Sequence, residues 1–281
     1  TATSDSRRGS PTPAILRRSM ALPLKPPIKP QLALSRKELP EGNEWVYAPK
    51  YDGFRALAFV DGKDLYLQSR GGRPLLRYFP ELEFPEGRYV LDGELVILDS
   101  EGREEFDALQ NRLHPAESRV RMLAEKTPAR FRAFDLLAQD RSKLTGNPFE
   151  ERRAALEELI AEARGRKKSA SGSVELTPLT KSAKTAEPWL VGGEGVIAKQ
   201  LDAVYKPGER KGMVKVKRVR TIDCVIVGWR PGKEEGTVGS LILGLYDRNG
   251  ELHPIGHTSG LKAKEKRELV KTLKPYETGE R

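Results

Sequence analysis

The chain has 281 residues, room for about two domains at ~150 residues each, and 37% hydrophobic content is enough for a buried core. Its 50 Lys and Arg against 40 Asp and Glu give a formal net charge of +10 with 32% charged residues, which fits a polyanionic partner or a well-solvated basic surface. A single cysteine excludes a disulfide framework and a multi-cysteine zinc cluster, and no run approaches the ~20 apolar residues of a membrane span. Residues 1–19, rich in Ser, Thr, Arg and Pro, read as a disordered arm. The apolar run after Arg17 and Arg18 is broken by Pro23, Pro26 and Pro27, too soon for a secretory signal, so a cytoplasmic protein is expected. Residues 20–30 are proline-dense and should be extended, with order beginning near Trp45. Phe54–Val60 and Leu65–Ser69 predict two strands joined at Asp61-Gly62, where Gly tolerates positive φ. Tyr89–Leu98 predicts a strand, Glu104–Leu113 and Pro115–Lys126 helices, and Ala129–Leu137 a strand. Glu150–Ala163 is the clearest helix, with Leu156, Leu159, Ile160 and Ala163 on one face. Gly165–Ser173 reads as a basic, Ser-rich loop whose region offers Arg164, Arg166, Lys167 and Lys168 to solvent or to a DNA backbone. Val196–Leu201 and Met213–Val219 predict neighbouring strands.

After about Val219 the texture changes. Thr221–Trp229, Val238–Tyr246 and Glu251–His257 predict three strands, the last two turning at Asn249-Gly250, and Lys262–Leu273 predicts a helix. Cys224 lies in the apolar run Cys224–Val227, which predicts a core position. Three strands and a helix suit a small oligonucleotide-binding barrel, which has five strands, so this part reads as a partial barrel.

The chemistry-bearing segments begin with Lys50-Tyr51-Asp52-Gly53-Phe54-Arg55, after Pro49 and before a strand, which places Lys50 on a tight connection facing a cleft. A lysine attacks only when deprotonated, so neighbouring groups must favour the free amine. Ser69-Arg70-Gly71-Gly72 puts a cation beside flexible backbone. Asp92 and Glu94 interrupt one apolar strand and Asp135 another, beside Phe134; buried acids need a cationic partner or a metal. Glu194 and Lys199 share a strand segment, and Lys215 and Lys217, at i and i+2, share a strand face that a phosphate would satisfy. Gly193-Glu194-Gly195-Val196-Ile197-Ala198 fits a loose dinucleotide fingerprint, but no helix follows it. His253 and His257 sit in strand texture with Pro254 and read as solvated or structural.

In this order the segments resemble the motifs of the covalent nucleotidyltransferases, and among them the ATP-dependent DNA ligases, from about Leu22 to Pro275. Asn111–Pro115 and Arg119–Ala124 resemble stand-alone bacterial ligases related to the ligase module of bacterial end-joining enzymes. The resemblance implies an α+β fold. A nucleotidyltransferase (adenylation) domain of antiparallel sheets with flanking helices would span residues 20–218, and a partial OB-fold β-barrel, without the family's terminal basic motif, residues 219–281. It implies sealing of 3′-hydroxyl/5′-phosphate nicks in duplex DNA through lysyl-AMP and adenylated DNA, with ATP and Mg²⁺ or Mn²⁺.

Lys50 would carry AMP, and Asp52 would position it and a metal-bound water network. Arg55 and Arg70 would meet ribose or phosphates, Glu94 the ribose hydroxyl or a metal, and Phe134 the adenine. Lys199 would line the nucleotide site, Glu194 would be a metal carboxylate, and Lys215 and Lys217 would hold the α-phosphate. The expected partners are nicked duplex DNA and bacterial end-joining or excision-repair proteins, for a monomer at the nucleoid with no membrane contact. Three departures stand out: Ala48 where the family often has a base-reading Glu, Gly71 in place of Asn, and the missing terminal basic motif; the segment Trp189–Gly193 is also short beside relatives. An RNA ligase, an mRNA-capping guanylyltransferase or a non-catalytic DNA-binding module would share parts of the pattern, whereas the zinc module of NAD⁺-dependent ligases cannot be built with one cysteine.

Overall fold

The computed structural model describes residues 21–166, 173–218 and 221–279; the 1–19 arm, Lys167 and Lys168 lie outside these. Contacts divide the chain between Arg218 and Val219 into two units. In the first unit a four-stranded sheet has the order β1-β10-β9-β2, built from β1 (Leu34–Arg36), β2 (Trp45–Pro49), β9 (Gly195–Gln200) and β10 (Met213–Lys217). A six-stranded sheet runs β4-β3-β5-β6-β7, with β3 (Phe54–Gly62), β4 (Asp64–Ser69), β5 (Gly87–Val96), β6 (Arg130–Gln139) and β7 (Ser142–Lys143). Its sixth strand, β8 (Val174–Leu176), pairs parallel to β6.

Alternation along β3 shows why these residues form a central strand. Ala56, Ala58 and Val60 face a core shared with Leu91, Phe131 and Leu136, and with Leu156 and Ile160 of a helix, α3 (Phe149–Arg166). Leu57 and Phe59 face a second core with Tyr66, Val90, Leu137 and Tyr205. A sheet covered on both faces needs apolar residues at successive positions, which is the near-continuous pattern in the sequence. Two shorter helices, α1 (Phe106–Asn111) and α2 (Glu117–Lys126), lie between β5 and β6 in the chain. The smaller sheet packs Trp45, Tyr47, Val196 and Val214 against Ala186, Trp189 and Leu190 of α4 (Ala183–Val191). Ser182 caps that helix by accepting the Thr185 N–H at 3.2 Å, and Trp189–Gly193 forms its end.

In the first unit three expectations change. Order starts well before Trp45: Leu22 is buried, and the Gln68 side chain accepts the Ile28 N–H at 3.0 Å and donates to the Ile28 carbonyl at 2.6 Å. A proline-dense segment has few amide donors for sheet pairing, so side chains of the sheet satisfy it instead. Glu104 and Glu105 precede α1 because Leu98 and Glu104 pair across a turn, in which the Asp99 carboxylate accepts the Glu101 and Arg103 N–H groups at 2.8 Å. Helix α3 likewise runs through Gly165 and Arg166, where a loop is predicted.

The second unit is an antiparallel meander of β11 (Val225–Pro231), β12 (Val238–Tyr246) and β13 (Leu252–Thr258), with α5 (Ala263–Leu273) against β12. Gly250 has φ +83° in the last turn, as the Asn-Gly signal requires, and Asp247 accepts the Asn249 and Glu251 N–H groups at 2.8 and 2.9 Å. Cys224, just before β11, is only half-buried and Val225, Ile226 and Val227 are exposed, so this apolar run is not a core strand. Among the described residues no helix is long and apolar enough to cross a membrane.

Candidate active site

Strand β2 ends at Pro49, which has no amide to continue the ladder, and the chain turns through Lys50 to Gly53. The turn is pinned from two sides. The Lys50 N–H donates to the Gly195 carbonyl at 3.0 Å, and the Asp52 N–H donates to Glu104 Oε2 at 2.7 Å. A Cβ on Gly53 would stand 2.2 Å from the Leu95 carbonyl oxygen. On Gly195, at φ +136°, it would stand 2.2 Å from that of Val216. Both glycines are therefore required by the approach of this loop to β5 and of β9 to β10.

Lys50 and Asp52 border a cavity of about 250 Å³. Its walls also carry Arg55 from β3, Arg70 after β4, Glu94 from β5, Phe134 from β6, Lys199 from β9 and Lys215 from β10. Register explains the convergence: Arg55 lies opposite Glu94, and Lys215 opposite Ile197, which also lines the cavity. Of the residues given a site role by the family resemblance, Glu194 and Lys217 do not line it. Both are exposed, at the β9 and β10 ends where Lys217 pairs with Gly195. Burial lowers the Lys215 pKa, and Lys217, Arg70 and Lys50 lower it further, so the site gathers cations without enough anions to balance them.

Beneath the cavity lie two buried ionic groups. The Asp92 carboxylate accepts Arg55 Nε and Nη2 at 2.6 and 2.7 Å and the Tyr205 hydroxyl at 2.6 Å, while Tyr205 accepts the Gln31 N–H at 3.0 Å. Burial alone would lower the Arg55 pKa, and Asp92 more than offsets it, so the guanidinium stays charged. Asp135 accepts Arg152 Nε and Nη2 at 2.8 and 3.0 Å and has Lys199 Nζ at 3.5 Å. Burial brings the Lys199 pKa down to about 8 against the opposing pull of Asp135. Both buried acids thus have cationic partners, which decides between the two options left by the sequence. The Phe134 ring centroid has Arg55 Cζ at 4.3 Å and Lys199 Nζ at 4.7 Å.

Burial pushes the Glu94 carboxyl up to about 7; Arg55 and Lys50 pull it down, while Asp92 and Glu104 push it up. A carboxyl with a folded pKa above its unfolded value of 4.5 contributes stability below that value and loses it as pH rises through about 7. Glu94→Gln cannot ionise, so it should raise Tm over the parent more at pH 8 than at pH 5. Thermal melts at the two pH values check this, and equal shifts would exclude a buried charge as the cause.

The sequence did not signal Glu104, Tyr205 or Gln31. An acid in the first turn of a predicted helix reads as a favourable dipole partner, and Tyr205 and Gln31 sit in loops without periodicity. For a cation, Asp52, Glu94 and Glu194 offer hard oxygen donors, as Mg²⁺ or Mn²⁺ prefers. Among the described residues they do not close into a three-ligand cage; a group of that kind occurs at Asp247, Glu251 and His253, exposed in the second unit. One or two carboxylates completed by water and phosphate oxygens is the usual Mg²⁺ arrangement, so the residues present fit.

Residues 30–217 match the family model described as ATP dependent DNA ligase domain. The chain is 45% identical over 271 residues to DNA ligase C of Mycobacterium tuberculosis, covering 92% of this chain and 74% of that protein. It is 48% identical over 249 residues to DNA ligase C2 of Mycolicibacterium smegmatis, covering 84% and 67%. It is also 34% identical over 249 residues to the multifunctional non-homologous end joining protein LigD of Mycobacterium bovis, covering 85% and 30%. Among solved structures it is similar to mycobacterial DNA ligase D complexed with ATP and MES, with a TM-score of 0.57, 32% identity, and coverage of 88% and 78%.

Proposed function

The chain belongs to the ATP-dependent DNA ligase family, and from that membership we propose that the cavity bordered by Lys50 is its nucleotidyl-transfer centre. The supporting observation is the convergence of Lys50, Glu94, Phe134 and the cations Arg55, Arg70, Lys199 and Lys215 on one cavity. A lysine, a carboxylate, an aromatic ring and unbalanced positive charge are what attack on the α-phosphate of a nucleotide requires.

Lys50 Nζ donates a long bond of 3.4 Å to the Tyr51 carbonyl, so little has to break before the amine, as free base, attacks the α-phosphorus of ATP. A phosphoramidate to AMP forms as pyrophosphate leaves. Lys215 and Lys199 stand where negative charge develops on the phosphate oxygens, and Arg55 and Glu94 meet the ribose. Phe134 offers its face to adenine. With Ala48 at the position of a base-reading acid, base selection rests on backbone groups of β2 and its neighbours. One or two of Asp52, Glu94 and Glu194 would hold Mg²⁺ or Mn²⁺, which neutralises phosphate charge when bound. AMP then passes to the 5′-phosphate of a nick, the 3′-hydroxyl displaces it, and the exposed Lys217 and Glu194 border that later step. We place this chemistry in a monomer acting at the nucleoid in end-joining or excision repair; the likeness to an end-joining protein supports the end-joining part of that setting.

Incubation with α-labelled ATP followed by peptide mapping tests the assignment. Label is expected on the peptide containing Lys50, and label on another side chain would overturn it.

A further inference from the structure

Glu104 belongs to none of the segments that resemble the ligase motifs, yet it reaches the nucleophile loop. Its backbone is fixed by the bridge to Leu98 and by the hydrogen bond of Glu105 N–H to the Ile97 carbonyl at 2.9 Å. The turn that carries it is closed by Asp99, whose carboxylate accepts two backbone amides and pairs with Arg103 at 2.9 Å. From this rigid extension of β5 the half-buried Glu104 carboxylate accepts the Asp52 N–H at 2.7 Å. The next residue, Gly53, lies so close to Leu95 that no Cβ fits. The loop carrying Lys50 is thus held by three points: Gly195 at Lys50 N–H, Glu104 at Asp52 N–H, and the backbone of β5 at Gly53. Two of them are backbone and follow from the fold. Glu104 is the side chain among them.

We infer that Glu104 is a positioning residue for nucleotidyl transfer, fixing the Lys50–Gly53 turn so that the Lys50 amine and the Asp52 carboxylate face the cavity together. The inference rests on Lys50 as the nucleophile. Its chemical content is that an oxygen acceptor is needed at this point. A part-buried amide without one would be re-paired by turning the loop, and misplacing a nucleophile by about 1 Å can cost as much as ~100-fold in rate.

The test uses the full chain and single-turnover formation of the labelled AMP adduct, with Glu104→Ala, Glu104→Met and Glu104→Gln compared. Met keeps the side chain's length and removes the acceptor; Gln keeps an acceptor oxygen. Ala and Met should each slow adduct formation by about 10-fold or more at saturating ATP, with the half-saturating ATP concentration changed by less than about twofold. Gln should recover most of the rate. If Ala proves unstable in thermal melts, the contrast between Met and Gln decides.

Met at the parental rate would overturn the inference, and so would Gln as slow as Met, which would assign the effect to charge. A rise in half-saturating ATP at unchanged maximal rate would also overturn it, since it indicates binding and not positioning. Lys50→Ala run in parallel separates the two readings. If that variant still forms the adduct, the nucleophile assignment fails; if it does not and Glu104→Met is unaffected, only the role of Glu104 fails.

Discussion

Lys50→Ala should form no AMP adduct, with self-adenylation reduced by at least about 10⁴-fold, because removing a covalent nucleophile removes the step itself. The cavity cannot compensate. Lys199 is tied to Asp135 at 3.5 Å and to the Phe134 carbonyl at 3.3 Å, and Lys215 reaches the site from another strand. The substitution lies on a half-buried loop whose main-chain bond from residue 50 to Gly195 is retained, so folding should be preserved. Labelled adduct on denaturing gels, a melting curve and binding to nicked duplex DNA together read the result. Loss of adduct with parental Tm and DNA binding is expected. A persistent adduct would reject Lys50 as the nucleophile.

Asp92→Ala is expected to be the most damaging substitution for stability in the first unit. The carboxylate is fully buried and holds two Arg55 nitrogens and the Tyr205 hydroxyl. Removing it leaves a largely buried guanidinium and a hydroxyl without their partner, which costs about 3–5 kcal/mol for a broken buried pair. At ~2–4 °C per kcal/mol for a domain of this size, Tm should fall by about 10 °C. The isosteric Asp92→Asn keeps one acceptor and loses the charge, so it should fall in between. Arg55 also forms a wall of the cavity, and the adduct should form more slowly in both variants. Melting curves of the three proteins provide the measurement. A shift below about 2 °C for Asp92→Ala would mean that water replaces the carboxylate and that this buried network contributes little.

Much of the fold was legible because its signals are local. The apolar run in Phe54–Val60, the Asp61-Gly62 and Asn249-Gly250 turns and the face of Leu156 and Ile160 are each set by a few neighbouring residues, and the structure has strands, turns and a helix there. The expectations that changed depended on distant partners. Cys224 to Val227 has a core-like composition, but no layer of the described residues covers it and it is half-covered or exposed. The proline-dense segment before β1 has no pattern of its own, and its order comes from Gln68 and from Leu22 packing on the second core.

The site divides along the same line. Most of the residues proposed to carry the chemistry could be picked out of the chain itself, and the structure brings them to one cavity. A lysine before Asp-Gly, acids inside apolar strands and paired lysines on one strand are unusual enough locally to be noticed. How those residues are charged and held was decided by tertiary structure. Strand register puts Arg55 opposite Glu94, Asp92 is claimed by Arg55 and Tyr205, Asp135 by Arg152 and Lys199, and Glu104 is bound to the Asp52 amide. These pairs join residues 17 to 113 positions apart in the chain. Their electrostatics follow from burial and separation in space, which no local pattern encodes.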